Sequence, residues 1–147
     1  MKIPFLIGRA VLGGFFLYNG FNHFKNLRSM GQYAGSKGVP MPEVAVSASG
    51  ALLLLGGASI LLGVRPKMGV ASVLTFLAGV SPVMHDFWNA ADPQQRQQDL
   101  AHFAKNMALV GAATALLGVE EPWPISVPVE PDKPAERVRK FARHLVA

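Results

Sequence analysis

The sequence predicts an all-α integral membrane protein, a four-helix bundle with both termini in the cytoplasm. Three observations carry that expectation. Residues 44–64 and 68–84 contain no charged side chain, and a bilayer core of roughly 30 Å takes about 20 apolar helical residues to cross. The first run spans with ease, and the second spans once it borrows a flank. Only 16% of the 147 residues are charged, against about 25% in a soluble domain. Lys and Arg are also unevenly shared between the flanks of the spans, which sets the orientation. A soluble protein is a poor alternative. Two such runs joined only by Arg65-Pro66-Lys67 would bury each other and little else.

The first span is expected over about Pro4 to Phe24. Pro4 suits a helix start. Pro4, Arg9 and the lack of an Ala-x-Ala site argue against a cleaved leader. Arg9, Gly13, Phe16, Gly20 and His23 recur at helical spacing and share one face. Residues 25–42 form a polar connection, in which Phe24, Leu27, Met30 and Ala34 give a short interfacial helix its apolar side. The second span runs from about Pro42 to Val64, with Ser49, Gly56 and Gly63 repeating every seven residues. Small residues at such spacing let helices approach closely in lipid. The third span is expected over Met68 to Trp88, with Gly69, Ser72, Thr75 and Gly79 as its small face and Pro82 as a kink. Residues 89–98 read as a polar loop turning at Asp92-Pro93. The fourth span follows from Asp99 to Val119, with Ala104, Ala108, Gly111, Ala115 and Gly118 as its packing stripe.

Two regions result: a membrane domain over residues 1–119 and a Pro-rich basic tail over 120–147. With four spans, the ends of the chain and the Arg65–Lys67 turn share one side. That side holds Lys2, Arg9, Arg65, Lys67, Lys133, Arg137, Arg139, Lys140 and Arg143. The other holds Lys25, Arg28, Lys37, Arg96 and Lys105. The richer side is the cytoplasmic one. Trp88 and Trp123 are then expected near opposite interfaces. In the tail, Val138, Phe141 and Leu145 face one way on a short amphipathic helix. Arg137, Arg139, Lys140 and Arg143 are thereby offered to anionic lipid or to a partner. Arg9, near the same end, is expected to snorkel to the interface or to meet a lipid phosphate or an acidic partner.

The chain has no cysteine, which excludes thiol redox chemistry, disulfides and cysteine-bound clusters. The net charge of +5 is mainly a property of the tail and fits a membrane surface better than a nucleic acid. Ionisable groups at membrane depth usually face the bundle interior, and here they collect at one end. The first span ends with Asn19, Asn22 and His23, the third with His85 and Asp86. The fourth begins with His102, Lys105 and Asn106. An up-down bundle brings all of these to one level, the non-cytoplasmic one. Three readings of that cluster compete. His, Asn and Lys suit the carbonyl oxygens of a quinone, with Phe21, Phe87 and Phe103 around its ring. His23, His85, Asp86 and His102 offer metal-ligand types, but no single helix carries an HxxxH or HExxH pair, and no metal is expected. A Lys–Asp–His network that staples helix ends needs no ligand at all.

Gly8-Arg9, Gly13-Gly14-Phe15-Phe16 and Asn19-Gly20-Phe21-Asn22-His23-Phe24 open the chain. Gly38-Val39-Pro40 and a glycine-rich second span follow, then His85-Asp86-Phe87-Trp88 and Phe103-Ala104-Lys105-Asn106-Met107-Ala108-Leu109-Val110-Gly111. In order and spacing, over residues 4–118, this resembles the DoxX family of small bacterial membrane proteins. The resemblance implies a four-span bundle in the bacterial inner membrane. It also implies a link to membrane oxidoreductase complexes, since the family is named for a subunit of a terminal oxidase and thiosulfate:quinone oxidoreductase system. The chain shows no haem signature, no dinucleotide-binding glycine fingerprint and no nucleophile–base pair. The leading expectation is therefore a small integral subunit of a larger redox or electron-transfer complex that touches quinone or lipid. The alternatives are a stand-alone quinone-linked oxidoreductase and a non-redox lipid-binding protein. Expected partners are membrane lipids and other complex subunits.

Overall fold

A computed structural model describes residues 2–128, and among these the only regular structure is helical. The order is α1 (Lys2–Lys25), α2 (Leu27–Ser36), α3 (Pro42–Leu62), α4 (Pro66–Met84) and α5 (Pro93–Leu117). All but α2 are long and apolar enough to cross a membrane. The basic segment with Arg137, Arg139, Lys140 and Arg143 lies outside the described residues.

Prolines set the helix starts. Pro42, Pro66 and Pro93 each sit in the first turn of their helix, where the missing N–H has no intrahelical partner to lose. The connection from α3 to α4 is short because Gly63 and Arg65 both take left-handed backbone (φ 70° and 45°). Asp92-Pro93 is a helix start rather than a loop turn. The Asp92 carboxylate accepts from the Gln95 N–H at 2.7 Å, so it caps α5, and the helix begins six residues before Asp99. At the other end of α4 the helix stops at Met84, two residues after Pro82, and His85 to Trp88 lie beyond it.

Packing is serial. α1 lies on α3, α3 on α4, and α4 on α5, while α2 lies across α3. α3 is the middle helix and approaches its neighbours backbone to backbone on two faces. A Cβ at Gly57 would meet Leu17 N at 2.7 Å and Gly13 O at 2.9 Å. One at Gly20 would meet Leu54 N at 2.8 Å. On the opposite face a Cβ at Gly56 would meet Gly69 O at 2.9 Å. The expected face of α1 is the packed one: Arg9, Gly13, Phe16 and Gly20 are all buried. Phe16, Leu53, Ile60, Val70, Val73 and Leu77 form the core. Large apolar side chains such as Ile7, Val11, Leu55 and Met68 stay exposed, as a lipid-facing surface requires.

One expected packing face is overturned, and another holds only over its first half. Ala104, Ala108, Gly111, Ala115 and Gly118 are all exposed on α5, and a Cβ at Gly111 meets nothing within 4 Å. The buried face of α5 is instead Asp99, Asn106 and Ala113. On α4, Gly69 is packed, but Thr75 and Gly79 are exposed. Gly111→Leu is accordingly expected to leave the melting temperature in detergent unchanged. A clear drop would show that this face meets another helix.

The chain after α5 returns to the bundle. Trp123 is 2% exposed and packs edge-on against Phe5 at 5.4 Å, so it is a core residue and not an interfacial belt residue. Trp88, 51% exposed, is free for that role. Val127 N donates to Leu62 O at 2.9 Å. Arg9, 6% exposed, donates to Pro124 O at 2.8 Å and Ile125 O at 2.9 Å. It therefore does not snorkel to lipid. It anchors the chain's own returning segment.

Candidate functional site

The expected polar cluster forms at the end of the bundle that carries α2, and the structure divides it in two. One part is an internally paired network. Lys37 Nζ lies 2.6 Å from Asp86 Oδ1 and 3.9 Å from Asp99 Oδ2. Asp99 also accepts from Gln95 Nε2 at 2.9 Å, and His85 Nδ1 stands 3.5 Å from its other oxygen. Asn89 Nδ2 donates to Asp86 at 3.2 Å. His102 is exposed and stacks on His85 with ring centroids 4.9 Å apart. These bonds tie the end of α2 to the end of α4 and the start of α5, which is the stapling role. The lysine that performs it is Lys37, not Lys105.

The electrostatics follow from the pairing. The hydrogen bond from Lys37 holds the Asp86 carboxyl below its usual range, and the same bond raises Lys37. Burial pushes His85 down, against the pull of the Asp99 carboxylate. A depressed carboxyl stabilises the fold above its unfolded value, near 3.9, and that contribution is lost as pH falls through the folded value. A raised ammonium stabilises below its unfolded value, near 10.4, and is lost as pH rises through the folded one. Asp86→Asn is therefore expected to lower the melting temperature between these limits, with the difference from the parent vanishing under acid. A constant difference down to acid pH would show that the pair contributes nothing electrostatic.

The second part is a cavity of about 730 Å³ to which all five helices contribute. That volume lies within the range of about 300–1,000 Å³ typical of small-molecule sites. α1 and α5 do not pack along one another, and the cavity has walls from both. Most of the lining is apolar: Phe15, Phe16 and Phe76 supply rings, and Leu52, Val80 and Leu109 aliphatic surface. The polar groups are few. Asn106 is 5% exposed, and its carboxamide has no hydrogen-bond partner among the described residues, although it is not sealed off inside the protein. Lys105 lines the cavity with no ion pair among the described residues. His23 lines it too, its Nδ1 2.7 Å from Asn19 O and its ring edge-on to Phe76 at 5.8 Å.

Of the residues singled out in the sequence for the polar cluster, Asn19, His23, His85, Lys105 and Asn106 line the cavity. Asn22, Asp86 and His102 do not. Asn22 instead accepts from Asn26 Nδ2 at 2.5 Å. Phe87 and Phe103 pair with each other and with Trp88, so the rings around the cavity are Phe15, Phe16 and Phe76. No group of His, Asp and Glu that could hold a metal exists among the described residues. Sequence reasoning missed Lys37, Asp99 and Gln95. Asp99 was legible, since it precedes Asn106 and Ala113 by seven and fourteen residues on one helix face.

The DoxX family profile matches residues 5–86, more than half of the chain. The chain belongs to the DoxX family. It is a multi-pass membrane protein with the helical bundle expected of that family. The match ends at Asp86, so α5, with Lys105 and Asn106, lies beyond it. Neither a curated protein nor a solved structure gives a match to this DoxX-family chain.

Proposed function

We propose that this protein is a small integral subunit of a larger membrane redox complex and that it holds a quinone in the cavity between α1 and α5. The observation that carries this reading is Asn106, a buried residue whose carboxamide has no partner among the described residues and opens to an apolar space lined by three phenylalanine rings. The amide is open to the cavity and both donates and accepts, so a ligand oxygen at that point can take its hydrogen bond. Lys105 and His23 supply further polar contacts. The rings and aliphatic walls suit a flat, hydrophobic molecule that arrives through the bilayer. The sequence carries no haem signature and no dinucleotide-binding glycine fingerprint, which favours a partner subunit as the source of the donor or acceptor. With both termini in the cytoplasm, the cavity stands towards the outer leaflet of the inner membrane.

Purification in a mild detergent tests this reading. Quinone is expected to be extracted with the protein, and neighbouring subunits to co-migrate with it. Asn106→Leu is expected to reduce extracted quinone severalfold without lowering the melting temperature, because functional sites are commonly pre-organised at some expense of stability. A lower melting temperature with unchanged quinone would reassign Asn106 to the stapling network.

A further inference from the structure

We infer that the cavity binds the reduced, hydroxyl-bearing form of its quinone, the quinol, more tightly than the oxidised form, and that His23 makes the distinction. The inference rests on the quinone reading above. A backbone carbonyl can only accept a hydrogen bond, so the 2.7 Å contact from His23 Nδ1 to Asn19 O puts the proton on Nδ1. In the neutral ring the other nitrogen, Nε2, then carries a bare lone pair and no hydrogen. Nε2 has no partner among the described residues, and it is not sealed off inside the protein. The ring lines the cavity. The ring is oriented by the bond from Nδ1 to Asn19 O and by Phe76, whose ring stands 5.8 Å away at a steep angle to it.

A fixed acceptor discriminates between two forms of one ligand. A quinol O–H donates to Nε2. A quinone carbonyl has no hydrogen to give, and its lone pairs would face that of Nε2. Asn106 does not discriminate, because a carboxamide both donates and accepts. Lys105 only donates, so it takes a carbonyl or a hydroxyl oxygen. His23 is thus a lining group whose demand is met by the quinol and not by the quinone; His85, the other lining imidazole, is engaged by Asp99 at Nδ1 and by the face of His102. One hydrogen bond worth about 0.7–1.4 kcal/mol, within the ordinary net range, corresponds to roughly a three- to tenfold difference in Kd.

The test uses the full chain in detergent micelles and titrates it calorimetrically with a decyl-substituted benzoquinone and, under nitrogen, with the corresponding hydroquinone. The parent protein is expected to bind the hydroquinone roughly three- to tenfold more tightly. His23→Phe keeps an aromatic ring and removes Nε2. It is expected to abolish the preference while leaving quinone binding within about twofold, as loss of a single contact to one form requires. His23→Gln restores an acceptor oxygen and is expected to recover part of the preference, and it stands in if the Phe variant does not fold. Equal affinities in the parent, or a preference that survives in both variants, overturn this inference and leave quinone binding in place. Failure of the parent to bind either form overturns the quinone reading and this inference with it.

Discussion

Gly57→Leu is expected to prevent recovery of a monodisperse folded bundle from detergent. Gly57 faces α1 where the backbones of the two helices come together. Even a single Cβ there would lie 2.7 Å from Leu17 N and 2.9 Å from Gly13 O, and both obstacles are backbone atoms of a rigid helix. α1 cannot yield locally. It must move as a body, and Gly13, whose own Cβ would meet Gly57 O at 3.0 Å, loses its contact at the same time. Gly57→Ala separates the competing effects. Alanine gains up to about 1 kcal/mol of helix propensity over glycine, whereas overpacking a tight contact costs about 1–3 kcal/mol. The clash wins, and a lower melting temperature is expected. Leucine adds three further carbons to the same gap, so its cost exceeds anything propensity returns. Gly111→Ala is the control, since that position faces open space and only the propensity gain applies. If Gly57→Leu and Gly111→Leu melt alike, the α1–α3 contact is not what holds the bundle.

That contrast explains which parts of the fold were legible. The existence of the spans was written in residues 44–64 and 68–84, where charge is absent and no soluble arrangement competes. Which face of each span packs was only partly legible. In water, a helix marks its buried side by being apolar there and polar elsewhere. In lipid, both sides are apolar, and small residues occur on either. The stripe from Ala104 to Gly118 looks like the Gly13–Gly20 face, yet one meets lipid and the other meets α3. On α5 the surer signal is polar: Asp99 and Asn106 are expensive in hydrocarbon, and their seven-residue spacing marks the inward face that also carries Ala113.

The candidate site was legible as a level in the membrane and not as a set of contacts. Up-down topology alone brings His23, His85 and Lys105 to one end. It cannot say that Lys37, from the connection between α2 and α3, reaches Asp86 and leaves Lys105 with no ion pair among the described residues. Nor can it show that Asn106 is left without a partner among the described residues. Those outcomes depend on how α2 lies across α3, which no local pattern encodes. The returning segment after α5 was illegible for a similar reason. Residues 119–124 carry Pro122 and Pro124 and read as an extended tail, while the one feature that reverses the chain onto the bundle, Trp123, reads equally well as an interfacial anchor.

Trp123→Ala is expected to destabilise the bundle by about 3–5 kcal/mol, the usual cost of emptying a large aromatic site in a core. The indole is 2% exposed, touches Phe5 edge-on, and donates from Nε1 to Val119 O at 3.4 Å. It belongs to the same cluster as Leu12, Ile60 and Ala113, so it joins α1, α3 and α5 at the end of the bundle opposite the cavity. Arg9 holds the same segment from the other side through two carbonyl oxygens. Arg9→Met removes hydrogen bonds from a charged group, each worth about 1.5–3 kcal/mol, and frees the segment that seats the indole. The two substitutions share their consequence, so the double variant is expected to lose less than the sum of the single losses. Truncation after Val119 removes both partners at once and should resemble the double variant, whereas truncation after Pro128 leaves these contacts in place. Trp88→Ala serves as the reference, since Trp88 is half exposed and its loss should barely move the melting temperature. Melting in one detergent across this set decides the matter. If Trp123→Ala melts with Trp88→Ala, the returning segment is an appendage and not part of the core.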